Sequence, residues 1–191
     1  MSIREEIIDY DKNKEEIEKW LFVKGEDKYA EFLKIIKECQ LPTTWKNISD
    51  LYRYDKRLLV NCFEYFAFFE EYLRAIILRE DKNETYESIN KKGVTFGPLS
   101  NKLSGLNQEI ISHYFDTENT REKLASVQDL RNHVAHNQII IKLDYKNYIA
   151  DFHDLLPEAY RRGFMMDIMA CEKGLSIPEE KRIPIVILRK S

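Results

Sequence analysis

The sequence predicts an all-α fold, and three observations carry that prediction. Six Gly and five Pro in 191 residues are roughly half the average share, whereas strand-and-turn folds are rich in both. Apolar residues recur at spacings of three and four along most of the chain, the repeat of one helix face. Hydrophobic residues make up 43% of the chain, enough for a core, and no internal repeat or low-complexity segment divides it into smaller units.

Over about 3–23, Ile7, Ile8, Ile17, Trp20 and Leu21 make one stripe among many Glu and Lys, and Gly25 ends it. Phe32, Leu33, Ile35 and Ile36 repeat the pattern over about 28–39. Leu41-Pro42-Thr43-Thr44 then breaks it, because proline disfavours helix at the residue before it, and the domain boundary is expected there. A long helix follows over about 48–80. From Leu58 to Ile77 its apolar residues cover most of the circumference, which predicts a central core helix or one that also faces a second subunit. Residues 81–95 are polar and read as a loop with a short helix. Phe96-Gly97-Pro98-Leu99 opens the next helix, since proline is tolerated in a first turn, and Gly105 stops it.

Leu106, Ile110, Ile111, Tyr114 and Phe115 predict a helix over 107–115, and Asp116 to Asn119 supply turn and N-cap chemistry for another over about 118–141. A last helix is expected over 145–172, where Tyr148, Phe152, Leu155, Leu156 and Tyr160 keep the period across Pro157. The tail beyond Gly174 ends in Ile185-Val186-Ile187-Leu188, a β-prone run able to pair as a strand.

A net charge of −3 excludes a protein that holds nucleic acid by bulk positive charge; any such contact must be local. No window of about 18 apolar residues is present and the N-terminus is charged, so a cytoplasmic chain without membrane contact is expected. Cys39, Cys62 and Cys171 are odd in number and far apart, which predicts reduced, mostly buried thiols. Four His with no His-Glu-x-x-His arrangement give no metal-ligand spacing, and no cofactor or metal is expected.

Chemistry concentrates in Leu130-Arg131-Asn132-His133-Val134-Ala135-His136-Asn137. A guanidinium, two carboxamides and two imidazoles within eight residues can grip a phosphate and move protons near neutral pH without a metal. On an ideal helix Arg131 and His136 are about 140° apart around the axis and about 7.5 Å along it. One chain therefore gathers too few groups in one place, and an isologous dimer would present two such segments across one cleft.

Arg131-Asn132-His133-Val134-Ala135-His136, with four residues between Arg and His on a late helix of a small helical domain, resembles the signature of the HEPN superfamily (higher eukaryotes and prokaryotes nucleotide-binding). The earlier helix bearing Glu70-Glu71-Tyr72-Leu73-Arg74 looks like the acidic, Leu-Arg-bearing helix of its toxin and abortive-infection members. The resemblance covers about 44–172, leaving 1–43 as an N-terminal helical extension and 173–191 as a tail. It implies a HEPN-like helical bundle that is a homodimer and a metal-independent endoribonuclease with a composite site, of a toxin–antitoxin or antiphage-defence system with a possible antitoxin or defence partner protein.

By residue, the resemblance gives Arg131 the scissile phosphate, His136 the acid/base role and Asn132 the positioning of substrate or a catalytic side chain. His133 and Glu71 are open to supporting roles. The implied reaction is attack of the 2′-hydroxyl of RNA on phosphorus, leaving a 2′,3′-cyclic phosphate and a 5′-hydroxyl, with DNA inert for want of the nucleophile. Members silenced by a nucleotidyltransferase carry Tyr two residues after the His. Gln138 stands there, so that silencing is not expected.

Other readings of the same residues remain open. A histidine near a helix C-terminus is favourable on dipole grounds alone, and His133 can be plain helix surface. Glu70 and Arg74, four apart, fit a helix ion pair. The aromatic run from Phe63 to Tyr72 reads as core or dimer packing rather than a base-stacking platform, which would be an open surface. Lys91-Lys92, Arg161-Arg162 and Lys181-Arg182 read as solvated faces, or as a guide for RNA where one borders the cleft. The alternative function is a non-catalytic HEPN-like module that binds a nucleotide or a partner protein through Arg131, or a helical interaction module.

Overall fold

A computed structural model describes residues 2–184. The described residues are helical and contain no strand, so the all-α class holds. They fall into two compact units. The tail run Ile185-Val186-Ile187-Leu188 lies outside the described residues.

The first unit comprises the chain up to Arg57 together with Cys171–Arg182. Helices α1 (Ile3–Glu6), α2 (Tyr10–Lys24) and α3 (Glu26–Glu38) pack with the first turns of α4 (Trp45–Glu80). The expected single helix over 3–23 is broken at Ile7–Asp9, for a reason outside the helix period. Ile7 is extended, the Ile8 N–H donates to the Thr43 carbonyl, and Asp9 Oδ1 accepts the Trp45 N–H at 2.7 Å. Asp9 thus leaves the helix to satisfy a first-turn donor of α4. Gly25, at φ 91°, makes the turn between α2 and α3, a conformation that side chains resist. Arg4 ties the unit together, donating to Glu18 from Nε and Nη2 at 2.6 and 3.0 Å and to Glu26 from Nη1 at 2.7 Å.

The units divide between Arg57 and Leu58, inside α4, and the segment after Cys171 belongs with the N-terminal residues. Arg57 Nη1 donates to the carbonyls of Cys171 and Lys173 at 2.9 and 2.8 Å, and the Ser176 N–H donates to Asp50 Oδ2 at 2.9 Å. Long-range hydrogen bonds of this kind leave no trace in hydrophobic periodicity.

The second unit, Leu58–Ala170, holds the rest of α4 with α5 (Tyr86–Ile89), α6 (Phe96–Ser104), α7 (Gln108–Tyr114), α8 (Thr120–Ala135), α9 (Tyr145–Leu155) and α10 (Glu158–Ala170). Helix α8 packs on α9 and α6, and α10 on α9. The core is aromatic: Phe66 stacks on Phe152 at 4.2 Å between ring centroids, and Phe69, Phe96 and Phe164 close around them. Phe66 and Phe69 are buried, as the core reading requires, whereas Phe63 is 61% exposed and Val60 59% exposed.

Three expectations in this unit are corrected by cap chemistry. The helix expected to reach 141 ends at Ala135. Asn137 adopts φ 53°, its N–H donates to the Val134 carbonyl and the Gln138 N–H to the His133 carbonyl, the paired bonds that close a helix C-terminus around a left-handed residue. The helix expected across Pro157 is two helices. Leu156 is driven to ψ 143° ahead of the proline, and Arg161 turns back to donate to the carbonyls of Leu156 and Asp154, both at 2.8 Å. Arg161 is therefore spent on a helix end and is not part of a solvated basic face. Asn119 sits at the N-cap of α8, but at φ 56° its side chain makes no capping bond.

Candidate functional site

Arg131, Val134 and Ala135 lie at i, i+3 and i+4 on α8, hence on one face. Across from them α4 presents Phe63, Phe66, Ala67 and Glu70, and the two helices enclose a cleft of about 180 Å³. Arg131 donates from Nε and Nη2 to Glu70 Oε1 at 3.4 and 3.3 Å, with both side chains mostly buried. Arg74 Nη2 donates to the other oxygen of Glu70 at 3.4 Å and to the Val94 carbonyl at 3.2 Å. Two guanidiniums on one carboxylate leave the cluster with a net charge of +1. The contacts are long for charge-assisted bonds, and Arg131 Nη1 has no partner among the described residues, so part of the guanidinium is uncommitted.

The remaining motif residues are placed differently. Asn132 and His136 are exposed and do not line the cleft. His136 occupies the C-cap of α8 at φ −92°, ψ 9°, five residues past Arg131 and on another side of the helix. His133 Nδ1 lies 2.8 Å from the Asp129 carbonyl one turn back. A carbonyl only accepts, so Nδ1 carries a proton in this contact. Glu71 is exposed on α4 and makes no hydrogen bond or ion pair among the described residues. Within the chain the fold thus joins Arg131 to Glu70, and it joins neither to His136, Asn132 nor Glu71.

Glu70, which the sequence places in the acidic helix and pairs with Arg74 but does not join to Arg131, is the site residue that sequence reasoning missed. Its spacing to Arg74 was visible, but its bond to Arg131, 61 residues away, depends on how α8 lies against α4. No family model, curated protein or solved structure matches the chain. The cysteines offer no competing chemistry: Cys62 and Cys171 are buried, and burial holds the Cys39 thiol above its ordinary value, poor in the nucleophilic thiolate. Among the described residues no helix is long and apolar enough to cross a membrane.

Proposed function

We propose that the chain is a metal-independent endoribonuclease of HEPN type, acting as a homodimer whose two α8 C-termini face one composite cleft. The observation that supports this most is Arg131 itself: a guanidinium held by a single carboxylate in an open cleft, with unused N–H donors and an exposed imidazole, His136, at the end of the same helix. Guanidinium supplies charge stabilisation for a phosphorane-like transition state, and imidazole takes the 2′-hydroxyl proton or returns one to the 5′-oxygen leaving group. One protomer separates these groups around α8, so the partner's copy supplies the one that is missing. Exposed Val60, Phe63, Ala67 and Ala135 beside the cleft give a second copy an apolar surface to cover.

The test is purified protein incubated in EDTA with single-stranded RNA and with DNA of the same sequence. Cleavage of the RNA alone, leaving 2′,3′-cyclic phosphate ends, is the expected result. Activity lost on chelation and restored by Mg²⁺, or equal cleavage of DNA, overturns the mechanism.

A further inference from the structure

A second cavity, of about 400 Å³, lies in the first unit and shares no residue with the Arg131 cleft. Its walls are aromatic and come from three helices: Trp20 of α2 and Tyr52 of α4 present half-buried rings, and Tyr29 of α3 and Trp45 of α4 are buried in the wall. Tyr29 lies 5.0 Å from Trp45 and 5.0 Å from Tyr52 between ring centroids. The charged residues that line the cavity, Lys24, Arg53 and Lys56, are all cations. Lys24 Nζ sits over the Trp20 ring, 5.8 Å from its centroid, and Lys56 Nζ over the Tyr52 ring at 5.9 Å, so positive charge is held against the aromatic walls.

We propose that this cavity binds a mononucleotide, its base against the aromatic walls and its phosphate on the lysines. Aromatic faces accept any flat base, and lysine ammonium groups serve as point charges for phosphate. The volume falls within the range of pockets that take small ligands rather than strands or protein surfaces. Carboxylates adjoin the site without lining it: Asp50 accepts from Arg53 at 3.3 Å, and Asp55 stands beside Lys56. Cations still dominate. Burial and the neighbouring Lys28 hold the Lys56 amine down to about 8 despite Asp55, and a phosphate dianion would relieve that crowding.

The chain's two tryptophans both line this cavity, so fluorescence excited selectively at tryptophan, and not at the chain's 11 tyrosines, reports on it. The full chain is titrated with adenosine 5′-monophosphate, with adenosine, with inorganic phosphate and with a single-stranded RNA tetranucleotide, with calorimetry as a second readout. Saturable quenching by the monophosphate is expected, at least about tenfold tighter than by adenosine or phosphate alone. Lys56→Gln should weaken it by about tenfold or more, and Arg131→Ala should leave it unchanged. The proposal fails if the monophosphate gives no saturable signal, if adenosine alone binds as tightly, if the tetranucleotide binds where the monophosphate does not, or if Arg131→Ala abolishes binding. The comparison of ligands on the wild-type chain decides the matter even if Lys56→Gln does not fold.

Discussion

Arg131 and His136 differ in how they are held, and that difference sets what each substitution does. His136 is exposed at the C-cap, where its backbone N–H, not its ring, bonds back to Asn132. His136→Ala should lower RNA cleavage by about 10²–10⁴-fold while RNA binding survives, since removing an acid/base leaves the phosphate anchor in place. Arg131→Ala should weaken both binding and cleavage. Arg131→Lys should restore little, because an ammonium cannot reproduce the two-pronged grip of guanidinium on phosphate oxygens. The His136→Ala protein should melt within about 0.5 kcal/mol of wild type, as exposed substitutions do. A His136→Ala protein that cleaves RNA at the wild-type rate would remove His136 from the mechanism. Which of two adjacent acids on α4 meets Arg131 was not legible in the sequence. Glu70 and Glu71 differ by about 100° around the helix, and only the position of α8 decides between them.

Helices were legible wherever the apolar spacing of three and four was continuous, and their ends were legible where Gly marks them, as at Gly25 and Gly105. The missed ends at Ile7 and Ala135 are set by single backbone bonds and caps, and the one at Leu156 by Pro157, and in each case the apolar period runs on unbroken. Packing between elements is likewise local. A Cβ at Gly163 of α10 would stand 2.8 Å from the Tyr65 hydroxyl of α4, which donates to Asp167 Oδ2 at 2.8 Å. Gly163→Ala alone should therefore not show the gain of up to about 1 kcal/mol that alanine gives a helix interior. In a Tyr65→Phe background, where the clashing oxygen is gone, the same change should stabilise, a non-additive pair readable by thermal melts. Asp154 links α9 to α8 through Lys123 and accepts from His153 Nδ1 at 3.4 Å. Burial raises its carboxyl pKa, but the bonds from His153 and Lys123 prevail and hold it below its ordinary value. A carboxyl depressed in the folded state contributes stability above its unfolded pKa of about 3.9, and that contribution is lost as pH falls through the folded value. Asp154→Asn should flatten the acid arm of a stability-versus-pH curve below about pH 4 and lower the plateau above it. An unchanged acid arm would show that the link contributes nothing.

Whether two copies associate is a property of the whole molecule, and the composite-site mechanism depends on it. Large apolar side chains of α4 are left in water beside the cleft, with Phe63 at 61% and Val60 at 59% exposure, while Phe66 and Phe69 on the same helix are buried. Specific dimers bury roughly 1,200–2,000 Å² in total, around a central cluster of aromatic or aliphatic anchors, and Phe63 flanked by Val60 and Ala67 has the composition of such an anchor. The wild-type chain should sediment as a dimer at micromolar concentration. Phe63→Asp should shift it to monomer, because each copy would carry an unpaired charge into the contact. The same substitution should leave helicity and melting close to wild type when compared at concentrations where both are monomeric, since Phe63 lies outside the core. If the cleft is composite, RNA cleavage should fall in step with the dimer fraction as Phe63→Asp protein is diluted or concentrated, although Arg131 and His136 are both intact. A monodisperse wild-type monomer, or a monomeric Phe63→Asp protein that cleaves RNA at the full rate, would refute the shared cleft and leave any ribonuclease activity to a single protomer.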